Sequence, residues 1–239
     1  MKKLPTILSL MSLAVLIGAW PAAAQTDLEA KAMSLRHDPQ NPVGENMDVP
    51  PAWKVRLDTP DPDVVIGAEE SSDIRFMTMT PGWHITTGPR AILYHPASTA
   101  RGNFTARAGI HLFPPGDRNE AYGLFFGGKN LEEANLQYVY FLVRRSGEFL
   151  IKRRQGEETE VLHEWTANEA INPYGAETEG TVHNALSIEA GADEVLFMVN
   201  DVEVARMPRS GIDVEGVVGL RVNHALNVHV DDFAVELDD

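Results

Sequence analysis

The chain has 239 residues, no cysteine, and 35 acidic against 20 basic residues, which gives a formal net charge of −15 at pH 7. The lack of cysteine excludes disulfides and a thiol nucleophile, and a chain of this length can bury a sizeable core without cross-links. The acidic balance disfavours nucleic acid and anionic lipid as partners, because both carry negative charge.

The N-terminus has the pattern of an export signal. Two lysines follow the first residue, residues 4–20 are almost wholly apolar, and Pro21 precedes three alanines that end at Ala24. This order of basic, apolar and small residues is typical of a cleaved signal peptide. The apolar run is also about as long as a short membrane anchor, which is the alternative. We expect residues 1–24 to be removed after Ala24, leaving a periplasmic or secreted protein that is free of the membrane.

Residues 25–71 form a lead-in that is rich in proline and aspartate. Thr26 and Glu29 have the spacing of a capping box, which predicts a short helix over residues 25–36. Six prolines follow between positions 39 and 62. Each removes a backbone donor and restricts its neighbour, so we expect an irregular chain there with at most one strand, at residues 53–57.

From residue 72 onward, short segments with strand patterns alternate with turn residues. Residues 104–112 alternate between apolar and polar side chains, the period of a half-buried strand. Residues 136–145 and 148–154 flank a Ser-Gly turn and predict a hairpin. Roughly twelve such strands at regular spacing predict a sandwich rather than alternating strands and helices. The sequence therefore predicts an all-β, two-sheet antiparallel sandwich over residues 72–239.

Several segments of this domain resemble a known group of folds. They begin at Glu120 (Glu-Ala-Tyr-Gly-Leu-Phe-Phe-Gly-Gly), Tyr138 (Tyr-Val-Tyr-Phe-Leu-Val-Arg-Arg), Asn184, Val195 and Gly216. Their order resembles concanavalin A-like and laminin-G-like jelly-roll domains. It is also similar to secreted bacterial sandwich proteins grouped near the 3-keto-glycoside hydrolases. The resemblance implies a jelly roll with one convex and one concave sheet, and glycans as the usual ligands.

The sequence departs from the glucanases of this fold group. Their acids stand on one strand as Glu-x-Asp-x-Glu or Glu-x-Asp-x-x-Glu, and this sequence contains neither pattern. The nearest string places Gly211 where the first glutamate is required, ahead of Asp213 and Glu215. Retaining cleavage needs two closely spaced carboxyl groups. We therefore expect no glucanase activity of that type.

The predicted ligand surface centres on a tyrosine-rich strand. Strand alternation places Tyr138, Tyr140 and Arg144 on one face, and Val139 and its alternate neighbours on the other. Flat rings with polar rims beside a guanidinium suit a sugar ligand. The predicted ligand-binding set adds residues from neighbouring predicted strands and comprises Tyr122, Tyr138, Tyr140, Arg144, Arg107 and His111. The alternative is that the strand's tyrosines face a second sheet as ordinary core.

A metal site is not expected from the spacing of potential ligands. His224 and His229 are placed on opposite faces of an unbroken strand, with Asp231 following the second, and no tight zinc pattern occurs. Three aspartates within residues 58–63 offer oxygen ligands, but without the spacing of a dedicated calcium loop. The sequence therefore predicts no cofactor and no metal, with calcium as the alternative.

Together these observations predict an exported, non-catalytic domain that binds a glycan or polysaccharide or serves the cell envelope. One alternative is a sugar-modifying hydrolase or lyase with an atypical acid–base set, such as His111 with Glu120. Another is a structural or protein-interaction module. A solvent-open tyrosine surface would favour the first hypothesis, and a closed one would favour the last.

Overall fold

The computed structural model describes residues 49–238, so the predicted signal peptide and the helix predicted over residues 25–36 lie outside the described part. The described chain contains fifteen strands and one 3₁₀ turn at Arg209–Gly211. Within these residues, no helix is long and apolar enough to cross a membrane.

The strands follow the alternating segments of the sequence closely. In chain order they are β1 (Lys54–Leu57), β2 (Ile66–Gly67), β3 (Ile74–Thr78), β4 (Trp83–Thr87), β5 (Ala91–Ala100), β6 (Phe104–Leu112), β7 (Ala121–Lys129), β8 (Gln137–Arg144), β9 (Glu148–Gln155), β10 (Glu158–Ala167), β11 (Val182–Ala190), β12 (Glu194–Val199), β13 (Val202–Pro208), β14 (Gly216–Val222) and β15 (Asn227–Leu237). β5 and β10 continue through bulged pairings past irregular positions.

These strands form two sheets. The seven-stranded sheet has the order β1-β5-β14-β7-β8-β9-β10, and the eight-stranded sheet has the order β13-β12-β11-β6-β15-β4-β3-β2. Among the described strands only β2 and β3 pair in parallel. The predicted all-β, two-sheet jelly-roll sandwich is confirmed. β1 and β2 lie within the predicted lead-in and already belong to the sheets.

The main core lies between the sheets and is made of alternate side chains from each strand. Phe126 and Phe141 from one sheet meet Phe197 from the other, with ring centroids 6.1 and 5.3 Å apart, and all three are fully buried. Burying one such side chain stabilises the fold by roughly 1.5–3 kcal/mol. Because inward positions are filled with apolar groups, a ligand surface has to be sought on the two outer faces.

Candidate functional site

The outer face of the seven-stranded sheet carries the predicted tyrosine surface. Val139, Phe141 and Val143 point into the main core, whereas Tyr138 and Tyr140 point to the other side, as the alternation of β8 predicts. We define the tyrosine face by the buried aromatic and aliphatic residues of this outer side: Ile92, Tyr94, Phe125, Tyr138, Tyr140, Leu142 and Leu150. This face is closed, since Tyr138 and Tyr140 are only 2% and 5% exposed.

An ionic cluster lies against these tyrosines. Arg221 holds both oxygens of Asp58 at 2.8 and 2.7 Å, and Arg154 donates to the same carboxylate at 2.6 Å. Arg221 also donates to the Tyr138 hydroxyl at 2.9 Å, and its guanidinium carbon lies 4.6 Å from the centre of the Tyr140 ring. Because most of its polar atoms bond to one another, the cluster is part of a packed layer, and Asp58 and Arg154 line a pocket at its edge beside Arg90 and His224.

The pKa of Asp58 reflects this packing. Burial alone would raise the pKa of the carboxyl, but the hydrogen bond and charge of Arg221, together with the charges of Arg154 and Arg90, lower it below the ordinary value of 3.8. Burial raises the pKa of the Tyr138 and Tyr140 hydroxyls. Asp58 therefore stays ionised at neutral pH and both hydroxyls stay protonated.

Two other members of the predicted set do not present an open side chain beside these tyrosines. Tyr122 shares the inward side of β7 with Leu124 and Phe126, and its hydroxyl accepts a hydrogen bond from Asn184 at 3.2 Å. Burial raises the pKa of Tyr122 to about 12. Arg144 is on the expected side, but it pairs with Glu148 at 2.7 Å and its guanidinium carbon lies 4.1 Å from the centre of the Trp165 ring.

The remaining predicted residues, Arg107 and His111, lie on the other sheet. Both belong to β6 and face outward from the eight-stranded sheet. The predicted grouping of all six residues on one surface is therefore wrong, because β6 and β8 belong to different layers. Glu120, the suggested acid–base partner of His111, directly precedes β7 of the seven-stranded sheet. His111 instead contacts the carboxylate of Asp231.

The outer side of the eight-stranded sheet carries a row of four histidines. His183 on β11 pairs with His111 on β6, His111 with His229 on β15, and His229 with His84 on β4. Four neighbouring strands thus present an imidazole at the same level of the sheet. We define the histidine face by this row together with Arg107 and Asp231. It is the more open face, since the His111 and Asp231 side chains are 33% and 28% exposed.

Asp231 brings two of these histidines together. It lies opposite Gly109 in the β15–β6 pairing, and its Oδ2 is 3.2 Å from His111 Nε2. The rings of His111 and His183 have centroids 4.5 Å apart. A side chain at Gly109 would overlap Asp231 Oδ1 and would place its Cβ 2.9 Å from His183 Nε2. Glycine at this position therefore leaves the space in which the three polar groups meet.

The electrostatics favour the neutral imidazole at three positions of the row, His183, His229 and His84. Burial, reinforced by the charge of His111, lowers the pKa of His183, although Asp231 acts in the opposite direction. Burial also lowers the pKa of His229, an effect that Asp231 opposes and His111 strengthens. The pKa of His84 is lowered by burial and then by His229 and Arg75. A neutral imidazole presents a lone pair that a hydrogen-bond donor or a metal ion can use.

The other end of the histidine face is an ion-pair network. Arg107 contacts Asp232 at 3.1 Å and Glu236 at 2.6 Å. Asp232 lies in an irregular stretch of β15 between Asp231 and Ala234 and has a φ of 47°. A bulge of this kind redirects the side chains beside it and is common next to functional sites.

Sequence reasoning missed His183 and His84, and it rejected a metal site at His224 and His229 with Asp231 beyond them. The only available hint was the segment His229-Val-Asp231, in which strand alternation places a histidine and an aspartate on the same side. The alternation of each strand gives the outward direction of its histidine. It does not give the register that sets the four histidines side by side.

The fold has counterparts among solved structures. It is similar to the carbohydrate binding module CBM66 from Bacillus subtilis, with a TM-score of 0.53 and 14% identity over 77% of this chain and 95% of that chain. It is also similar to a glycoside hydrolase family 16 endo-glucanase from Bacteroides ovatus, with a TM-score of 0.52 and 9% identity over 82% and 97% of the two chains. A protein of unknown function with a galectin-like fold from Bacillus subtilis gives 0.51 and 13%, over 82% and 93%.

No family model and no curated protein matches the sequence. The structural likenesses define the class of fold, a concanavalin A-like jelly-roll sandwich. One fold hosts many functions, so the function of this chain depends on the chemistry of its own surfaces.

Proposed function

We propose that this protein is an exported, non-catalytic glycan-binding domain and that its ligand binds on the histidine face. The observation that carries the proposal is the row of four outward-facing histidines across adjacent strands, flanked by Arg107 and Asp231. The fold shared with a carbohydrate binding module supports it, as does the signal-peptide pattern at the N-terminus.

The chemistry of the histidine face suits a sugar. Imidazole rings offer flat apolar faces, and their ring nitrogens donate to or accept from hydroxyl groups. Phe113 extends the aromatic surface next to His84, with ring centroids 5.2 Å apart. Arg107, Asp232 and Glu236 add charged hydrogen-bonding groups at one end. A chain of several sugar residues could span the strands and contact both parts.

The tyrosine face is the weaker candidate because it is closed. A sugar gains affinity by stacking only on a ring that it can reach, and Tyr138 and Tyr140 are almost fully covered. The predicted ligand-binding role of these tyrosines, and of Tyr122 and Arg144, stays a prediction. It requires a rearrangement that exposes the rings.

A glycan array probed with the purified protein tests the proposal. We expect binding to a defined class of glycans, lost by at least about tenfold in His111→Ala and in Arg107→Ala because each removes direct hydrogen-bonding groups. Tyr138→Phe is the matched control, since it removes a buried hydroxyl on the opposite sheet and is expected to leave glycan binding unchanged. Binding that persists in both histidine-face variants would refute this location.

The closed tyrosine face favours a second candidate function, a structural or protein-interaction module. If the protein has this second function, no glycan binds the folded protein under any condition. The two candidates therefore differ in the first result of the array.

A further inference from the structure

We propose that His111, His183 and Asp231 form a binding site for a divalent first-row transition metal ion, with Zn²⁺ as the representative ion. One donor atom from each residue lies within 4.8 Å of the other two. The donors come from three adjacent strands, β11, β6 and β15, which hold them in a rigid frame. Metal binding at these three residues does not require that the domain bind a glycan.

The donor set matches the chemistry of such an ion. Imidazole nitrogen suits zinc, copper and nickel, whereas calcium and magnesium prefer sites made of oxygen ligands. Zinc bonds to histidine nitrogen and carboxylate oxygen are about 2.0–2.2 Å long, which places neighbouring tetrahedral donors about 3.3 Å apart. His111 Nε2 and Asp231 Oδ2 already lie 3.2 Å apart.

The third donor needs only a small side-chain movement. The largest separation within the set is 4.8 Å or less, so His183 has to approach by at most about 1.5 Å. His183 is the most exposed of the three residues. Within residues 49–238, its imidazole has no hydrogen-bond partner that such a movement would break.

The residues beside the three donors leave the space between them free of other side chains. Gly109 and Ala185 are the facing residues on β6 and β11, level with Asp231, and neither has a side chain that could fill it. The irregular stretch of β15 follows directly after Asp231. A simple His111–Asp231 hydrogen bond would account for one of these contacts but not for the approach of His183 Nε2 to the same point above Gly109.

Three protein ligands leave a zinc ion with an open position. Sites with three ligands and one exchangeable water are typical of zinc ions that bind or act on a ligand, whereas purely structural zinc sites have four protein ligands. The open position would point away from the sheet, toward solvent, because all three donors rise from the same face. A hydroxyl or carboxylate group of an external ligand could take it.

Isothermal titration of ZnCl₂ into the full chain, expressed without a histidine tag and treated with chelator, tests the site. We expect one equivalent of Zn²⁺ to bind and Ca²⁺ not to compete. Loss of a residue that only orients a metal ligand weakens binding by roughly 10–100-fold. We expect a larger loss of Zn²⁺ affinity in each of the variants His111→Ala, His183→Ala and Asp231→Asn. Gly109→Ala should also weaken binding, because its methyl group displaces the Asp231 carboxylate.

His84→Ala is the matched control. This substitution removes an imidazole from the same row without touching the three donors. We expect the Zn²⁺ affinity to stay within about threefold of the parent, which is less than the tenfold loss that corresponds to about 1.4 kcal/mol. Circular dichroism checks that each variant is folded. No stoichiometric Zn²⁺ binding by the parent protein, or equal losses in His84→Ala and His111→Ala, would overturn the proposal.

Discussion

The two outer faces of the sandwich differ in how their polar groups are used. On the seven-stranded sheet, the tyrosines are covered and Asp58 is shared by Arg221 and Arg154, whose side chains are only 5% and 9% exposed. On the eight-stranded sheet, His111 and Asp231 are about one-third exposed, and burial lowers the pKa of the neighbouring His183 and His229. The tyrosine face is therefore an additional packed layer, whereas the histidine face is a surface whose polar groups can still bond to a ligand.

This difference shows why residue type alone misdirects the search for a site. Tyrosine and arginine on one strand face suit a sugar platform, yet the same groups also build a closed layer when a carboxylate and other aromatics meet them. The four histidines of the row are less noticeable in the sequence because they are far apart along the chain. Their common level in the sheet is what makes them a candidate site.

The sharpest way to test the contrast is to remove the carboxylate of the tyrosine face. Asp58→Asn leaves the guanidinium groups of Arg221 and Arg154 buried without a counter-ion, and we expect the free energy of unfolding to fall by about 3–5 kcal/mol. Urea denaturation measures the loss, and Asp63→Asn, at an exposed position, is the control. A loss below about 1 kcal/mol would mean that this cluster is not a packed layer.

A smaller loss is expected at the edge of the same face. Arg144→Ala removes both the ion pair with Glu148 and the cation–π contact with Trp165. These contacts are partly exposed and contribute about 1–2 kcal/mol together. Denaturation followed by tryptophan fluorescence reports the stability. If Arg144 instead bound a glycan directly, this variant would lose glycan binding on the array while its stability stayed unchanged.

Acid unfolding gives an independent measure of the Asp58 cluster. The pKa of this carboxyl is lower in the folded protein than its ordinary value of 3.8, so its contribution to stability is fully present above that pH. The contribution is lost as the pH falls from 3.8 through the lower folded pKa. We expect the stability of the parent protein to decline more steeply over this interval than that of Asp58→Asn, as measured by denaturation at a series of pH values.

The smallest stability change is expected on the histidine face. His111→Ala removes a side chain that is one-third exposed, and the free energy of unfolding should change by no more than about 0.5 kcal/mol. The same variant should lose Zn²⁺ binding. Thermal unfolding with and without Zn²⁺ measures both effects. A large loss of stability without metal would indicate a structural histidine rather than a ligand.

The fold was largely predictable from the sequence because its signals are local. Alternation in residues 104–112 and 136–145 reproduces the inward and outward sides of β6 and β8, and glycine- and proline-rich turns separate the strands. The same local logic places Tyr138 and Tyr140 on one side and Phe141 on the other.

The site was not predictable by that logic because it depends on pairing between distant strands. His111 and Asp231 are drawn together by the register of β6 with β15, and His183 joins them through the register of β6 with β11. Closure of the tyrosine face is equally non-local. β8 has large rings and aliphatic groups on both sides, so its sequence does not tell a covered outer face from an open one.

We expect external ligands to bind the histidine face and not the tyrosine face. Backbone amide shifts of ¹⁵N-labelled protein, recorded during titration with Zn²⁺ and with a glycan selected on the array, test it most directly. We predict that the largest shifts fall on β6, β11 and β15, around His111, His183 and Asp231. Shifts concentrated on β8 and β9, around Tyr138, Tyr140 and Arg154, would contradict it.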